Sequence, residues 1–291
     1  MSAILSNSAV SSGERSGQSG NKPVPTVIVF AAALPPTRPI WILPREDCAP
    51  TWRSQICRSF CRSLGRCALC GLSISDQVRE LWPCAWPGLG VHVTLLDSSP
   101  EMLDLANRAA REAGAGANIA LQEGDASQAA KLFCGECFDV ILCHNVLEFV
   151  DDPRAVLRSA SQVMRDSSIL SVLVRMQAGE VWKAAIQAGD LAAAGRSLTA
   201  EWGCEPLFGG KVRLFTPEGL NTMLRHASLE GAATRGVRVI SDFLPPAISC
   251  EAEYERILEL ERELGRGPEF AAVARYAQLL VRRTPEAENR T

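Results

Sequence analysis

With 291 residues, 47% of them hydrophobic, the chain is long enough for one large α/β domain or two modest ones around a sizeable core. A net charge of −3 argues against a broad basic surface, although it leaves room for a local basic patch. No run reaches the roughly 18 apolar residues of a membrane span, and no membrane association is expected.

The first 90 residues differ in kind from the rest. They hold six of the 11 cysteines, nine of the 17 prolines and four of the six tryptophans, but only five of the 33 acidic residues. The run VPTVIVFAAALPP (24–36) imitates a signal peptide, with Arg15 and Lys22 ahead of it, but it starts late and is short, which weighs against secretion. Beyond it, neither a helical nor a strand period persists. Two CxxC pairs, Cys67/Cys70 and Cys134/Cys137, are much further apart than the roughly 15–20 residues between the halves of a zinc ribbon. No metal is expected, and free thiols in a reducing cytoplasm are the plainer reading.

From residue 91 the pattern becomes regular. VHVTLLDSSPEMLDLANRAAREAG (91–114) is an apolar strand ending in Asp97, followed by a helix with a capping box of Ser98 and Glu101 and with Pro100 near its first turn. An acid at such a strand end suits the hydroxyls of a nucleotide ribose. It normally follows a glycine-rich loop by about 20 residues. That loop should fall at 72–79, where the chain reads LSISDQVR without a glycine. Joining the third base of each codon to the first two of the next lets Leu72 to Glu80 become an apolar strand and glycine loop such as VDLGPGTG. Residues 1–90 are therefore expected to be an anomalous segment, disordered or out of frame, and the first strand and glycine loop to be missing from the chain as written.

A strand at about 118–122 ends in Glu123-Gly124-Asp125, a strand at 138–143 ends in His144-Asn145, and Asp152 and Pro153 open a helix. SILSVLVRM (168–176) is a further buried strand. Alternating strands and helices of this kind predict an α/β fold with a doubly wound, mainly parallel sheet and its ligands at the carboxyl ends, where Asp97, Asp125 and His144 stand.

This order of motifs resembles the class I (Rossmann-like) S-adenosylmethionine-dependent methyltransferases. More closely, FDVILCHNVLEFVDDPRAVL, RGVRVISDFL, YERILELE and ARYAQLLVRR are similar in order and spacing to the bacterial tRNA 5-carboxymethoxyuridine methyltransferases over residues 91–283. The resemblance implies S-adenosylmethionine as cofactor, with Asp97 on the ribose and Ser98, Met102 and Ser127 as further cofactor contacts. It implies Asp125 and Ala126 at the adenine and His144 beside the methionine moiety. Asn145, Lys211, Arg213 and Arg238 become the candidate acceptor contacts, Arg238 because a guanidinium fork suits a carboxylate or phosphate. The implied acceptor is a tRNA anticodon, specifically the carboxylate of a modified wobble uridine, or else a small molecule. RDSS (165–168) stands where the family has an RPGG turn, and only GGKVRLF (209–215) stands where a denser basic cluster belongs. Methyl transfer is an in-line displacement that demands alignment more than a base, so no catalytic residue is assigned. The rival readings are an NAD-dependent oxidoreductase and a non-catalytic remnant unable to close its cofactor pocket.

Overall fold

The computed structural model describes residues 26–30, 92–112, 114, 116–205, 210–244 and 253–284. Strands β1 (Thr26–Phe30), β2 (His92–Asp97), β3 (Ile119–Glu123), β4 (Phe138–His144), β5 (Met164–Arg175), β8 (Leu229–Val237) and β9 (Tyr276–Arg283) form one sheet, in the order β3-β2-β1-β4-β5-β9-β8. The first five are parallel to one another, and β9 runs antiparallel between β5 and β8. A separate two-stranded ribbon pairs β6 (Trp202–Glu205) with β7 (Gly210–Arg213). The expected doubly wound α/β sheet is present.

The expectation of a missing first strand is corrected. Thr26–Phe30 is the central strand, in register with His92–Leu96 on one side and with Val140–Cys143 on the other. Within the run that imitates a signal peptide, TVIVF is a short continuous series of β-branched and aromatic residues, the composition a central parallel strand favours. Ile28 is fully buried in the main core with Leu96, Ile141 and Leu170. The start of the strand is pinned by Asp139, whose Oδ2 accepts from both the backbone N–H (2.7 Å) and the hydroxyl (2.9 Å) of Thr26. Residues 72–79, where the glycine loop was sought, and the Cys67/Cys70 pair lie outside the described residues.

Helices α1 (Pro100–Glu112), α2 (Ala129–Leu132), α3 (Pro153–Gln162), α4 (Gln177–Trp182), α5 (Leu191–Ser197), α6 (Pro217–His226), α7 (Tyr254–Leu264) and α8 (Pro268–Ala271) connect the strands. Asp152 caps α3 as expected, accepting from the N–H groups of Arg154 and Ala155. The cap of α1 is corrected by one position: Ser99, not Ser98, accepts from the Met102 N–H, and its hydroxyl donates to Glu101. RDSS is no turn between elements but lies inside β5, where Ser168 Oγ accepts from Arg165 N and donates to Phe138 O, and the β4/β5 register shifts. Among the described residues no helix is long and apolar enough to cross a membrane, and no group of three potential metal ligands occurs.

Candidate functional site

The strand order reverses at β1/β4, and in open α/β sheets the ligand crevice opens at the carboxyl ends beside such a reversal. Phe30 is in register with Leu96 and with Cys143, so Asp97 and His144 each stand one residue further out, on opposite sides of β1. Two strand spacings separate them by about 9.5 Å.

Asp97 is buried. Its Oδ1 accepts from Ser99 N at 2.8 Å, while its Oδ2 has no partner. Burial raises its pKa to about 6 against the opposing pull of the Ser99 and Ser98 backbone N–H groups. An unpaired buried carboxylate oxygen costs free energy unless a donor arrives. A second orphan lies across β1: Asn145 Oδ1 is buried without a partner, and Asn145 has φ +52°, a left-handed backbone seldom adopted outside glycine. Both orphans are acceptors, and hydroxyl or ammonium donors complement them.

Other expected contacts take different roles. Asp125 is exposed and caps the 3-10 turn Ala126–Gln128, with Oδ1 accepting from Ser127 N at 2.7 Å; its second oxygen remains available for an amine. Ala126 is buried beneath it, and Ser98 and Met102 lie at the start of α1, exposed and half-buried. His144 is tied inward, with Nε2 sharing a 2.7 Å hydrogen bond with Ser171 Oγ, which also receives the Gln278 amide at 2.9 Å.

The acceptor candidates divide. Arg213 is brought close to the cofactor side: its backbone N–H donates to the Glu148 carbonyl at 3.0 Å, three residues beyond Asn145. Lys211 is exposed on the same strand. Arg238 closes β8, three strand spacings from β4 and so about 14 Å aside. Its guanidinium is ion-paired with Asp242 and lies 5.9 Å over the Tyr276 ring. The pairing continues inward, Arg275 reaching Asp242 at 3.6 Å and Glu180 at 2.7 Å, and Glu180 meeting Arg175 at 2.6 Å. Arg238 is therefore one end of a compensated charge ladder.

Sequence reasoning missed Glu148. It is buried, with Oε1 accepting from the Arg175 N–H at 2.8 Å and Oε2 unpartnered, and burial lifts its pKa to about 7. The only available signal was its place in HNVLE. Sequence reasoning also missed a cleft of about 560 Å³ between the starts of α3 and α6, lined by Asp152, Arg154, Gln177, Glu201, Arg213 and Thr216.

Residues 77–172, which include Asp97, Asp125 and His144, match a family described as "Methyltransferase domain". Over 210 residues the chain is 29% identical to the tRNA 5-carboxymethoxyuridine methyltransferase of Escherichia coli K12, covering 69% of this chain and 75% of that protein. Among solved structures, the CcbJ methyltransferase of Streptomyces caelestis is 16% identical with a TM-score of 0.45, covering 67% of this chain and 76% of that one. An S-adenosylmethionine-dependent methyltransferase from Clostridium acetobutylicum is 13% identical with a TM-score of 0.42, covering 66% and 74%.

Proposed function

We propose, for a chain that carries a class I S-adenosylmethionine-dependent methyltransferase domain, that the methyl acceptor is the carboxylate of a modified wobble uridine in tRNA, met in the cytoplasm. The similarity to the Escherichia coli enzyme supports this acceptor. The observation that carries the cofactor half is the pair of buried unpartnered acceptors, Asp97 Oδ2 and Asn145 Oδ1, flanking the carboxyl end of β1. They fit a ligand rich in hydroxyl and ammonium donors.

Bound S-adenosylmethionine supplies an electrophilic methyl group on a sulfonium. The chain's task is to hold and align. Asp97 accepts from ribose hydroxyls, Asp125 accepts from the adenine amine, and Asn145 faces the reacting end. A carboxylate acceptor is already ionised at pH 7, so no side chain removes a proton. Arg238 grips the acceptor carboxylate by sharing its fork with Asp242, while Lys211 and Arg213 neutralise phosphates. The cleft of about 560 Å³ favours a second reading, a small-molecule acceptor, because it falls in the size range of small-ligand pockets. The central strand in place removes one of the two premises of the remnant reading, the missing first strand.

The test is transfer of labelled methyl to an anticodon stem-loop carrying 5-carboxymethoxyuridine. One alkali-labile ester per RNA is expected, with none on the unmodified loop. Label on neither RNA would overturn the tRNA acceptor, and equal label on both would overturn the carboxylate.

A further inference from the structure

The β6/β7 ribbon has two unlike faces. By strand alternation, Gly203 and Val212 share one face; Val212 is fully buried, and a Cβ on Gly203 would lie 3.2 Å from Leu214 Cδ2. The other face presents Trp202, Cys204, Lys211 and Arg213, none of them acidic. Trp202 and Arg213 are cross-strand partners, and the guanidinium lies 4.5 Å over the indole, although Trp202 stays 45% exposed. Lys211 follows two positions along, about 6.6 Å away. Trp202 is left 45% exposed beneath a cation, and a stacked aromatic and guanidinium form the flat surface on which unpaired bases settle.

The ribbon is also held in place. Arg213 donates its backbone N–H to the Glu148 carbonyl at 3.0 Å and its Nη2 to the Asp151 carbonyl at 3.4 Å. The three residues from Asn145 to Glu148 span at most about 11 Å, the height of about three stacked bases. The platform thus stands on the order of three nucleotides from the candidate methyl-transfer end.

Resting on the RNA acceptor proposed above, we infer that the Trp202–Arg213 pair is a stacking platform for an unpaired base on the order of three nucleotides from the methylated one, with Lys211 on the adjoining phosphate. The partner is a single-stranded RNA loop, recognised by base faces and backbone and not by duplex shape.

The test is fluorescence anisotropy of a labelled, unmodified RNA stem-loop binding to the full chain, so that binding is read apart from methylation. Trp202→Ala should weaken loop binding about 5- to 150-fold, the range corresponding to one lost base stack. Trp202→Phe should recover most of it. Lys211→Gln should flatten the salt dependence of log K by about 0.7, the share of one phosphate contact on a single strand. Cofactor affinity should be unchanged in all three, which shows that each variant is folded. Loop binding by Trp202→Ala within twofold of wild type would overturn the platform, as would a blunt RNA duplex binding as tightly as the loop. Equal competition by polyglutamate would also overturn it, by assigning the ribbon to an acidic protein partner. If a Trp202-dependent loop binds but no carboxylate is methylated, the proposed reaction fails and the platform stands; if methylation of the modified loop is untouched by Trp202→Ala, the platform fails alone.

Discussion

Thr26 and Asp139, 113 residues apart in sequence, are joined by two hydrogen bonds that converge on one carboxylate oxygen, at 2.7 and 2.9 Å. The other oxygen of Asp139 takes Arg165 Nη1 at 2.8 Å, so a single side chain clasps the starts of β1, β4 and β5. Asp139→Ala is expected to lower the unfolding free energy by about 1–3 kcal/mol, the cost of leaving such donors unpaired. Ile28→Ala, at a fully buried position, should cost about 2–5 kcal/mol. Urea denaturation checks both. An unchanged midpoint for Ile28→Ala would remove β1 from the sheet.

Asp97 makes cofactor binding depend on pH. Burial raises its pKa from 3.8 to about 6, so between those values the native chain holds more protons than the unfolded one. The apo protein therefore loses up to about 3 kcal/mol as pH rises through that window, and no more above it. Donors arriving at Oδ2 favour the charged form, so S-adenosylmethionine binding near pH 6 should release protons. Calorimetry in two buffers of different ionisation enthalpy reads this directly. Asp97→Ala should abolish the release and weaken binding by about 1.5–3 kcal/mol; unchanged affinity would end the ribose assignment.

Glu148 should impose a second pH window, slightly higher. Its carboxyl moves from 4.5 to about 7, chiefly through burial, so its ionisation destabilises the fold progressively until pH passes about 7. Glu148→Gln keeps an acceptor for the Arg175 N–H and cannot ionise. The variant should match wild type at pH 4 and melt higher at pH 8. Parallel melting curves across that range would show that the wild-type carboxylate is compensated by Arg175.

Arg238→Lys tests the acceptor carboxylate. A lysine retains a charge for Asp242 but offers no planar fork, so turnover of a carboxylate-bearing RNA should fall with cofactor affinity intact. Asp242→Asn weakens the competing pair and should lower KM for that RNA. Equal turnover by the lysine variant in steady-state kinetics would confine Arg238 to the charge ladder.

β2, β4 and β5 were legible because inner parallel strands read as apolar runs closed by turn residues, the half-exposed edge strand β3 because Glu123-Gly124-Asp125 closes it, and Asp152-Pro153 is an unambiguous helix start. β1 carries the same signature in TVIVF. The expected spacing between a glycine loop and Asp97 pointed elsewhere, and the pairing of Thr26 with Asp139 leaves no local trace. Ser98 and Ser99 are equivalent by type, and only the helix register decides which one caps. The β6/β7 ribbon is too short for a periodic signal. The places of Asp97 and Asn145 at strand ends were legible, whereas the burial of Glu148 and the pairing of Arg238 with Asp242 arise only when distant strands meet.

The position of β1 in the chain also sets a timetable for synthesis. Its partners in the sheet begin at His92 and Val140, so the most apolar strand leaves the ribosome first and waits for both neighbours. At about 5–20 residues per second, the wait for β4 lasts on the order of 5–20 s. Until β2 emerges both edges of β1 are unpaired, and until β4 emerges one still is, a state prone to pairing with other chains. Yield of this protein in a cell should therefore depend on translation speed between β1 and β4 and on chaperones that cover nascent apolar segments, more than on the stability of the finished fold.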